Sequence, residues 1–223
     1  MSDVVGIDLS TSRGRLAAHL DMLFVDHGIL RLLWTARHPV TGEMYRANQP
    51  SPHQLARAKK RGIRTIVNLR GARPCGSYAL EEEACRRLGL KLENFPVNSR
   101  DAPRKEIIRG AQNLFRRIAY PALMHCKSGA DRAGFMSVLY LMLEKNVPVE
   151  RALSHLSWRY GHVRQAKTGI LDFFFESYRA ANRKAPVPFM RWLDETYDPV
   201  ALKAHFMSKW WANTLVDRVL RRE

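Results

Sequence analysis

The feature that most constrains the fold of this chain is the alternation of short apolar runs with amphipathic stretches of helical period. Residues 65–69 (TIVNL) and 122–125 (ALMH) are compact runs, and each leads into a loop instead of continuing as a helix. Such runs are typical of strands that are buried on both faces of a parallel sheet. The sequence therefore predicts an α/β fold with a mainly parallel central sheet of about four to five strands flanked by helices.

The other strands and helices are predicted from local signals. Residues 43–46 and 91–95 have the composition of strands. Ser51 and Pro52 begin a helix that stops at Gly62, because Ser accepts hydrogen bonds from the first helical N–H groups and Pro suits the first helical position. Further helices are predicted at 81–88, from Pro103 to 118, at 132–145 and, with breaks near Gly161 and 185–188, beyond Pro148.

The length of the chain favours one catalytic domain with helical extensions. The 223 residues suffice for one well-buried α/β domain but hardly for two. We predict an N-terminal helical extension at 1–40, a catalytic domain at 41–183 and a helical tail at 184–223. Apolar residues recur at helical spacing over 13–34, which favours a core-packing helix, and a helix lying on an anionic membrane is the alternative.

The charge balance indicates anionic partners. The chain has 37 Lys and Arg against 21 Asp and Glu, a formal net charge of +16. Phosphorylated substrates, anionic lipid and nucleic acid all fit such a surface. Nucleic acid is the weakest candidate because no recognisable nucleic-acid-binding motif accompanies the charge. We infer no obligate protein partner.

Two further patterns concern location. The opening residues show no secretory signal, and no apolar stretch is long enough to span a bilayer. The sequence therefore predicts a cytoplasmic protein, and peripheral contact with the inner face of a membrane is the alternative.

The strongest chemical signal is the segment 122–134, ALMHCKSGADRAG, in which a strand leads through a tight loop into a helix. Such a loop turns backbone N–H groups inward at the helix N-terminus, which makes a phosphate site. The same groups, with a nearby guanidinium, stabilise a thiolate at Cys126. Arg132 can grip two phosphoryl oxygens with its planar fork, and Gly129 lets the backbone pass close to the ligand.

Cys126 stands apart from the other two cysteines. Neither Cys75 nor Cys85 has an arginine six residues later, and neither lies between a strand and a helix. Three cysteines at irregular spacings predict free thiols instead of a disulfide framework or a zinc site. The alternative for Cys126 is a small apolar residue at the end of a strand.

The pattern His125-Cys126-x5-Arg132, with Gly129 inside it, resembles the active-site signature of the protein-tyrosine-phosphatase superfamily, closest to its compact dual-specificity branch. The resemblance continues through RTIVNLRG at 64–71 and covers roughly 45–160. It implies the cysteine-phosphatase fold, a phosphocysteine intermediate hydrolysed by water, and no metal or other cofactor. It also implies that His125 orients the loop. The implied phosphate-binding positions are Lys127, Ser128, Gly129, Ala130 and Asp131.

The family also implies an Asp that protonates the leaving oxygen, and two candidates remain open. Asp101 follows the third strand and lies 25 residues before Cys126. It would alternatively cap a helix that starts at Pro103. Asp131 is the rival acid, since the myotubularin lipid phosphatases have an Asp at the corresponding place in the loop. Its alternative role is an ion pair with Arg132.

One position departs from the family pattern. Ala133 stands where the family usually has Ser or Thr, whose hydroxyl helps the thiolate to leave. We therefore expect slow breakdown of the phosphocysteine, and a non-catalytic phosphate-binding protein is the alternative. Gln165 is a weaker candidate for orienting the attacking water.

Basic residues near the predicted pocket point to a class of substrate. A positive rim suits a polyanionic lipid, inositol or sugar phosphate better than an isolated phosphotyrosine. A phosphoprotein substrate is the alternative, and the same residues would then be solvated surface charges. The predicted rim consists of Lys127, Arg70, Arg73, Arg100 and Arg104.

Overall fold

The computed structural model describes residues 8–26 and 37–220, with the backbone alone from 212 onward. The chain forms two compact units, each built from two segments. We call Met1–Val97 with Arg117–Ala133 the sheet unit, and Asn98–Arg116 with Gly134–Glu223 the helical unit. The functional division at 41–183 and 184–223 stays a prediction.

The sheet unit is built on five strands in the order β1-β2-β5-β3-β4. All neighbouring pairs are parallel except β1 and β2. The predicted α/β fold with a mainly parallel sheet is therefore confirmed. The strands are β1 (His38–Pro39), β2 (Met44–Ala47), β3 (Thr65–Asn68), β4 (Lys91–Asn94) and β5 (Ala122–His125).

Sheet register brings the ends of three strands together. His125, the last residue of β5, lies opposite Ala47 at the end of β2 and Asn68 at the end of β3. All four residues of β5 are buried, since this strand lies in the middle of the sheet. The loop that follows His125 therefore begins at the edge where β2 and β3 also end.

The helices of the sheet unit follow the sequence signals with one difference. These helices are α1 (Ser12–Leu20), which continues as a π-helical turn over Asp21–Val25, α2 (Pro52–Lys60) and α3 (Gly76–Leu88). Ser51 and Gln54 form a capping box at the start of α2, as the Ser-Pro signal predicts. Helix α3 begins before the predicted residue 81, because the Asp21 carboxylate accepts a hydrogen bond from the Gly76 N–H at 2.6 Å. This partner is distant in sequence.

The N-terminal apolar stripe does not pack into the core. Leu16, Leu20 and Phe24 are 61%, 45% and 61% exposed, and Ala18 is the buried residue of α1. The core-packing prediction is therefore wrong for these three residues, because α1 contacts α3 through Ala18 and the Arg15–Glu83 ion pair instead; Leu23 is half-buried. The part of the stripe that continues through Leu30, Leu33 and Trp34 lies outside the described residues.

The helical unit contains the predicted succession of helices and a mainly aromatic core. Phe174 lies within 6.1 Å, between ring centroids, of Phe135, Phe189 and Trp192. Its helices are α4 (Lys105–Arg117, whose last residue belongs to the sheet unit), α5 (Asp131–Glu144, which begins in the sheet unit), α6 (Val149–Ala152), α7 (Ile170–Lys184), α8 (Phe189–Glu195) and α9 (Pro199–Leu220). Three-residue 3₁₀ turns occupy Leu153–His155, Trp158–Tyr160 and Lys167–Gly169. Across residues 8–26 and 37–220, no helix combines the length and apolarity that crossing a bilayer requires.

Candidate active site

The centre of the site is the loop that connects β5 to α5. Cys126 directly follows β5 and is 2% exposed. The backbone N–H of Gly129 donates a hydrogen bond to the Cys126 sulfur at 3.2 Å. The loop therefore folds back over the residue that begins it. The dipole of the Gly129 N–H therefore points at the sulfur.

Gly129 is required by the backbone beside it. Its φ is 80°, in the left-handed region that favours glycine. A Cβ at this position would lie 2.8 Å from the backbone carbon of Ala47 and the backbone nitrogen of Asn48. The backbone at the end of β2 therefore leaves room only for glycine here, and the approach of Gly129 to a ligand stays a prediction.

Arg46 holds the back of the loop and was not predicted from the sequence. This β2 residue is 1% exposed, and its Nη2 donates to the carbonyls of Gly129 at 2.6 Å and Ala130 at 2.8 Å. In a trans peptide the N–H points away from the C=O. Binding both carbonyls therefore turns the N–H groups of the same peptide planes away from Arg46. The sequence signal for it was an arginine within a short predicted strand. An arginine that is buried in a sheet needs partners for its charge.

Arg132 is the second residue of α5 and lies at the same sheet edge. Its Nη1 is 3.5 Å from the carbonyl oxygen of Leu69, which directly follows β3. The Leu69 N–H donates to the His125 carbonyl at 2.9 Å. The predicted nucleophile and the predicted phosphate-binding arginine thus lie in one unit. Cys126 is bonded to His125, and Arg132 is linked to His125 through Leu69.

His125 lies in a buried polar cluster beneath the loop. Its Nε2 is 2.5 Å from Oε1 of Glu81, and both side chains are fully buried. Gln49 donates to the other carboxylate oxygen of Glu81 at 3.0 Å. The His125 Nδ1 lies 3.4 Å from the Cys126 carbonyl. These contacts fix the ring next to the loop, and the orienting role of His125 stays a prediction. Glu81 and Gln49 were not predicted from the sequence.

Two cations of the predicted rim contact the carboxylate of Asp26, a residue that was not predicted from the sequence. Asp26 forms a two-pronged ion pair with Arg70, at 2.6 and 2.9 Å. The Lys127 Nζ lies 3.4 Å from Oδ1 of the same carboxylate. The Arg70 side chain is 4% exposed, and its Nη1 also contacts the Gln49 side chain. Arg70 therefore faces protein groups, and its role as a phosphate ligand stays a prediction.

The remaining predicted binding residues differ in exposure. Ser128 and Arg73 are exposed in the sheet unit, Ala130 is buried, and Asp131 is half-buried at the first position of α5. Arg100 and Arg104 are exposed in the helical unit. Their contacts with a substrate stay predictions.

Asp101 lies in the helical unit. Its Oδ1 is 3.0 Å from the Lys203 Nζ of α9 and accepts a hydrogen bond from the adjacent Ala102 N–H at 2.9 Å. Helix α4 begins at Lys105, so the interpretation of Asp101 as the cap of a helix starting at Pro103 is wrong. Its assignment as the acid stays a prediction.

Gln165, the weaker candidate for orienting water, is exposed. Its backbone carbonyl accepts a hydrogen bond from the Trp210 indole N–H at 3.1 Å. Both residues belong to the helical unit, and the catalytic role of Gln165 stays a prediction.

The other two cysteines have different surroundings. All three thiols are free, as predicted. Burial raises the pKa of the Cys85 thiol to about 12, and the nearby Glu81 and Glu82 carboxylates add to this effect. Cys85 is thus an inert core residue at neutral pH. Cys75 is half-buried and precedes α3.

Comparison with known structures shows the fold of this chain. P. aeruginosa TpbA matches with a TM-score of 0.52 and 14% identity, over 64% of this chain and 84% of that one. Tk-PTP in its active form matches with a TM-score of 0.50 and 21% identity, over 64% and 98%. The core catalytic domain of the S. cerevisiae PP-IP phosphatase SIW14 matches with a TM-score of 0.50 and 17% identity, over 68% and 94%.

Comparison of sequences shows the family. No curated protein matches the sequence. Residues 36–169 match the family described as a DSP-PTPase phosphatase fused to NAD⁺ kinase. The matched segment includes the five strands and the loop from Cys126 to Arg132. The chain therefore belongs to this dual-specificity phosphatase family of the protein-tyrosine-phosphatase superfamily and is a phosphatase.

Proposed function

We propose that this phosphatase hydrolyses phosphomonoesters through a phosphocysteine intermediate on Cys126. The observation that carries the proposal is the 3.2 Å hydrogen bond from the Gly129 N–H to the Cys126 sulfur. This hydrogen bond supports a thiolate at Cys126. In the same loop, the carbonyls of Gly129 and Ala130 accept hydrogen bonds from Arg46. Such a thiolate needs no separate base to become a nucleophile.

The proposed first step transfers the phosphoryl group to sulfur. The Cys126 thiolate attacks phosphorus, the bond to the leaving oxygen breaks, and Asp101 gives that oxygen a proton. Loop N–H groups and the Arg132 guanidinium stabilise the charge of the transferring group. Water then attacks the phosphocysteine and gives a proton back to the acid, which releases phosphate and the thiolate. Because Ala133 supplies no hydroxyl to the departing sulfur, we expect this second step to limit turnover.

The proposed substrate is a polyanionic lipid, inositol or sugar phosphate. The net charge of +16 and the exposed cations Arg73, Arg100 and Arg104 support this class, since a multiply charged ligand gains most from a positive field. A phosphoprotein is the second candidate, and the family's dual-specificity description favours it. The two are separated by comparing kcat/KM for an inositol polyphosphate with that for a phosphotyrosine peptide.

The reaction type is tested by hydrolysis of an aryl phosphate in the presence of a chelator. We expect turnover to persist with the chelator and to be inhibited by vanadate, which occupies a phosphate site as a transition-state mimic. A pre-steady-state burst of aryl alcohol is expected if hydrolysis of the phosphocysteine limits the rate. Loss of turnover on chelation, or turnover indifferent to vanadate, would contradict the proposed mechanism.

Asp101→Ala tests the proposed acid. We expect kcat/KM, which reports formation of the phosphocysteine, to fall by about 100-fold for an alkyl phosphate but by only about threefold for a nitrophenyl phosphate, because a good leaving group needs no proton. Asp131→Asn is the matched control and is expected to show no such dependence on the leaving group. The reverse pattern between the two variants would transfer the role to Asp131.

A further inference from the structure

The segment that precedes the matched family region carries a carboxylate to the catalytic loop. The family match begins at residue 36, whereas Asp26 lies ten residues earlier and is 8% exposed. Its carboxylate contacts Lys127, the residue directly after Cys126, at 3.4 Å. It also accepts a hydrogen bond from the Ser77 hydroxyl of α3 at 2.8 Å. A charged group from outside the matched region is therefore built into the surroundings of the nucleophile.

Three contacts hold the Asp26 segment against α3. The Asp21 carboxylate accepts a hydrogen bond from the Gly76 N–H at 2.6 Å. Gly76 lies so close to α1 that a Cβ there would be 2.4 Å from the Ala18 carbonyl oxygen. Farther along, Arg15 makes a two-pronged ion pair with Glu83, at 2.6 and 2.9 Å. The position of Asp26 thus follows from a docked segment and is not an isolated surface contact.

The two cations that contact Asp26 differ in what they can do. Arg70 is 4% exposed in its side chain and is paired through both terminal nitrogens, so it serves mainly to hold the carboxylate. Lys127 is 43% exposed in its side chain and makes the longer contact. An exposed ammonium at this distance can exchange one anion for another. Of the two cations, Lys127 is therefore the one that can reach an anionic group in solution.

We propose that Asp26 is a specificity-determining residue that competes with a second anionic group of the substrate for Lys127. With Asp26 present, the group of Arg70, Lys127 and Asp26 carries a net charge of +1. Without it the charge would be +2, and Lys127 would bind a further phosphate. Asp26 thus disfavours a second phosphate at Lys127, so that the further phosphates of a polyanionic substrate would bind cations other than this lysine. This proposal deepens the proposed function and rests on the same loop binding phosphate.

The test measures anion binding in the Cys126→Ser background, so that it does not depend on turnover. The probes are inorganic phosphate and inorganic tripolyphosphate, titrated at one fixed ionic strength. We expect Asp26→Asn to tighten tripolyphosphate binding by about tenfold, and phosphate binding by no more than about twofold, since a close charge pair near a protein surface has this order of effect. Adding Lys127→Met to Asp26→Asn should return the Kd for tripolyphosphate to the value without the Asp26→Asn change.

A second variant guards against misfolding of Asp26→Asn, which leaves Arg70 without its carboxylate. Gly76→Ala disturbs the docked segment without touching Asp26, and alanine is well tolerated at the start of a helix. We expect it to tighten tripolyphosphate binding in the same direction. The proposal is overturned if the variants lower the Kd values of phosphate and tripolyphosphate by the same factor, or if neither variant changes the ratio of the two Kd values. It is also overturned if tripolyphosphate still binds more tightly after Lys127→Met is added. If no variant binds phosphate at all, the proposed phosphate site itself is wrong.

Discussion

Replacing Cys126 with serine is expected to lower kcat by at least about 10⁴-fold, because a serine hydroxyl is far less acidic than a thiol and no neighbouring base is proposed to activate it. The variant should still bind phosphate, since the loop N–H groups and Arg132 do not depend on sulfur. The measurements are steady-state hydrolysis of an aryl phosphate and the Kd of inorganic phosphate by calorimetry.

Cys75→Ser is the matched control for this prediction. Cys75 is half-buried and lies outside the loop, so we expect its kcat to stay within about twofold of the wild type. Equal rates for Cys126→Ser and the wild type would contradict the assignment of the nucleophile. Loss of activity in Cys75→Ser alone would move the nucleophile to the start of α3.

Arg46→Met is expected to have the second largest effect, on both stability and activity. It leaves the buried carbonyls of Gly129 and Ala130 without the Arg46 donor, which should lower the free energy of unfolding by about 2–4 kcal/mol. The loop N–H groups then lose their imposed direction, and kcat/KM should fall by about 100-fold. Denaturant unfolding and steady-state kinetics at a temperature where the variant is folded measure the two effects.

Two further variants separate the role of Arg46 from a general effect of charge. Arg46→Lys keeps the charge but not the fork, and it should recover stability only in part. Arg57→Met removes an exposed arginine of α2 and should change the free energy of unfolding by no more than about 0.5 kcal/mol. Wild-type kcat/KM in folded Arg46→Met would show that the loop does not need its buried donor.

The structure shows that fewer cations are available to a substrate near the loop than the positive charge of the chain predicts. Summing the cations near the loop predicts a rim of independent phosphate ligands. Arg70 is instead buried and paired with Asp26, and Lys127 contacts the same carboxylate. The net charge of the chain therefore describes its long-range field but not the number of cations available to a substrate.

The sequence by itself determined four of the five strands and the candidate loop, whereas the two-residue strand β1 was not predicted. The strands near Ile66 and Leu123 were predictable because buried parallel strands are short, apolar and locally continuous. Cys126, Gly129 and Arg132 were predictable as a candidate site because a strand, a loop and a helix that follow one another must place them together. Both inferences depend on residues that are close in the chain.

Only the tertiary structure decided which groups surround that loop. Arg46 contacts carbonyls 83 and 84 positions away, and Asp26 pairs with a guanidinium 44 positions away. No local pattern marks such pairs, because sheet register and helix docking bring them together. The free energy of burying a charged group depends on the partners that it meets. Those partners are defined by the fold, so Arg46 and Asp26 acquire their roles only there.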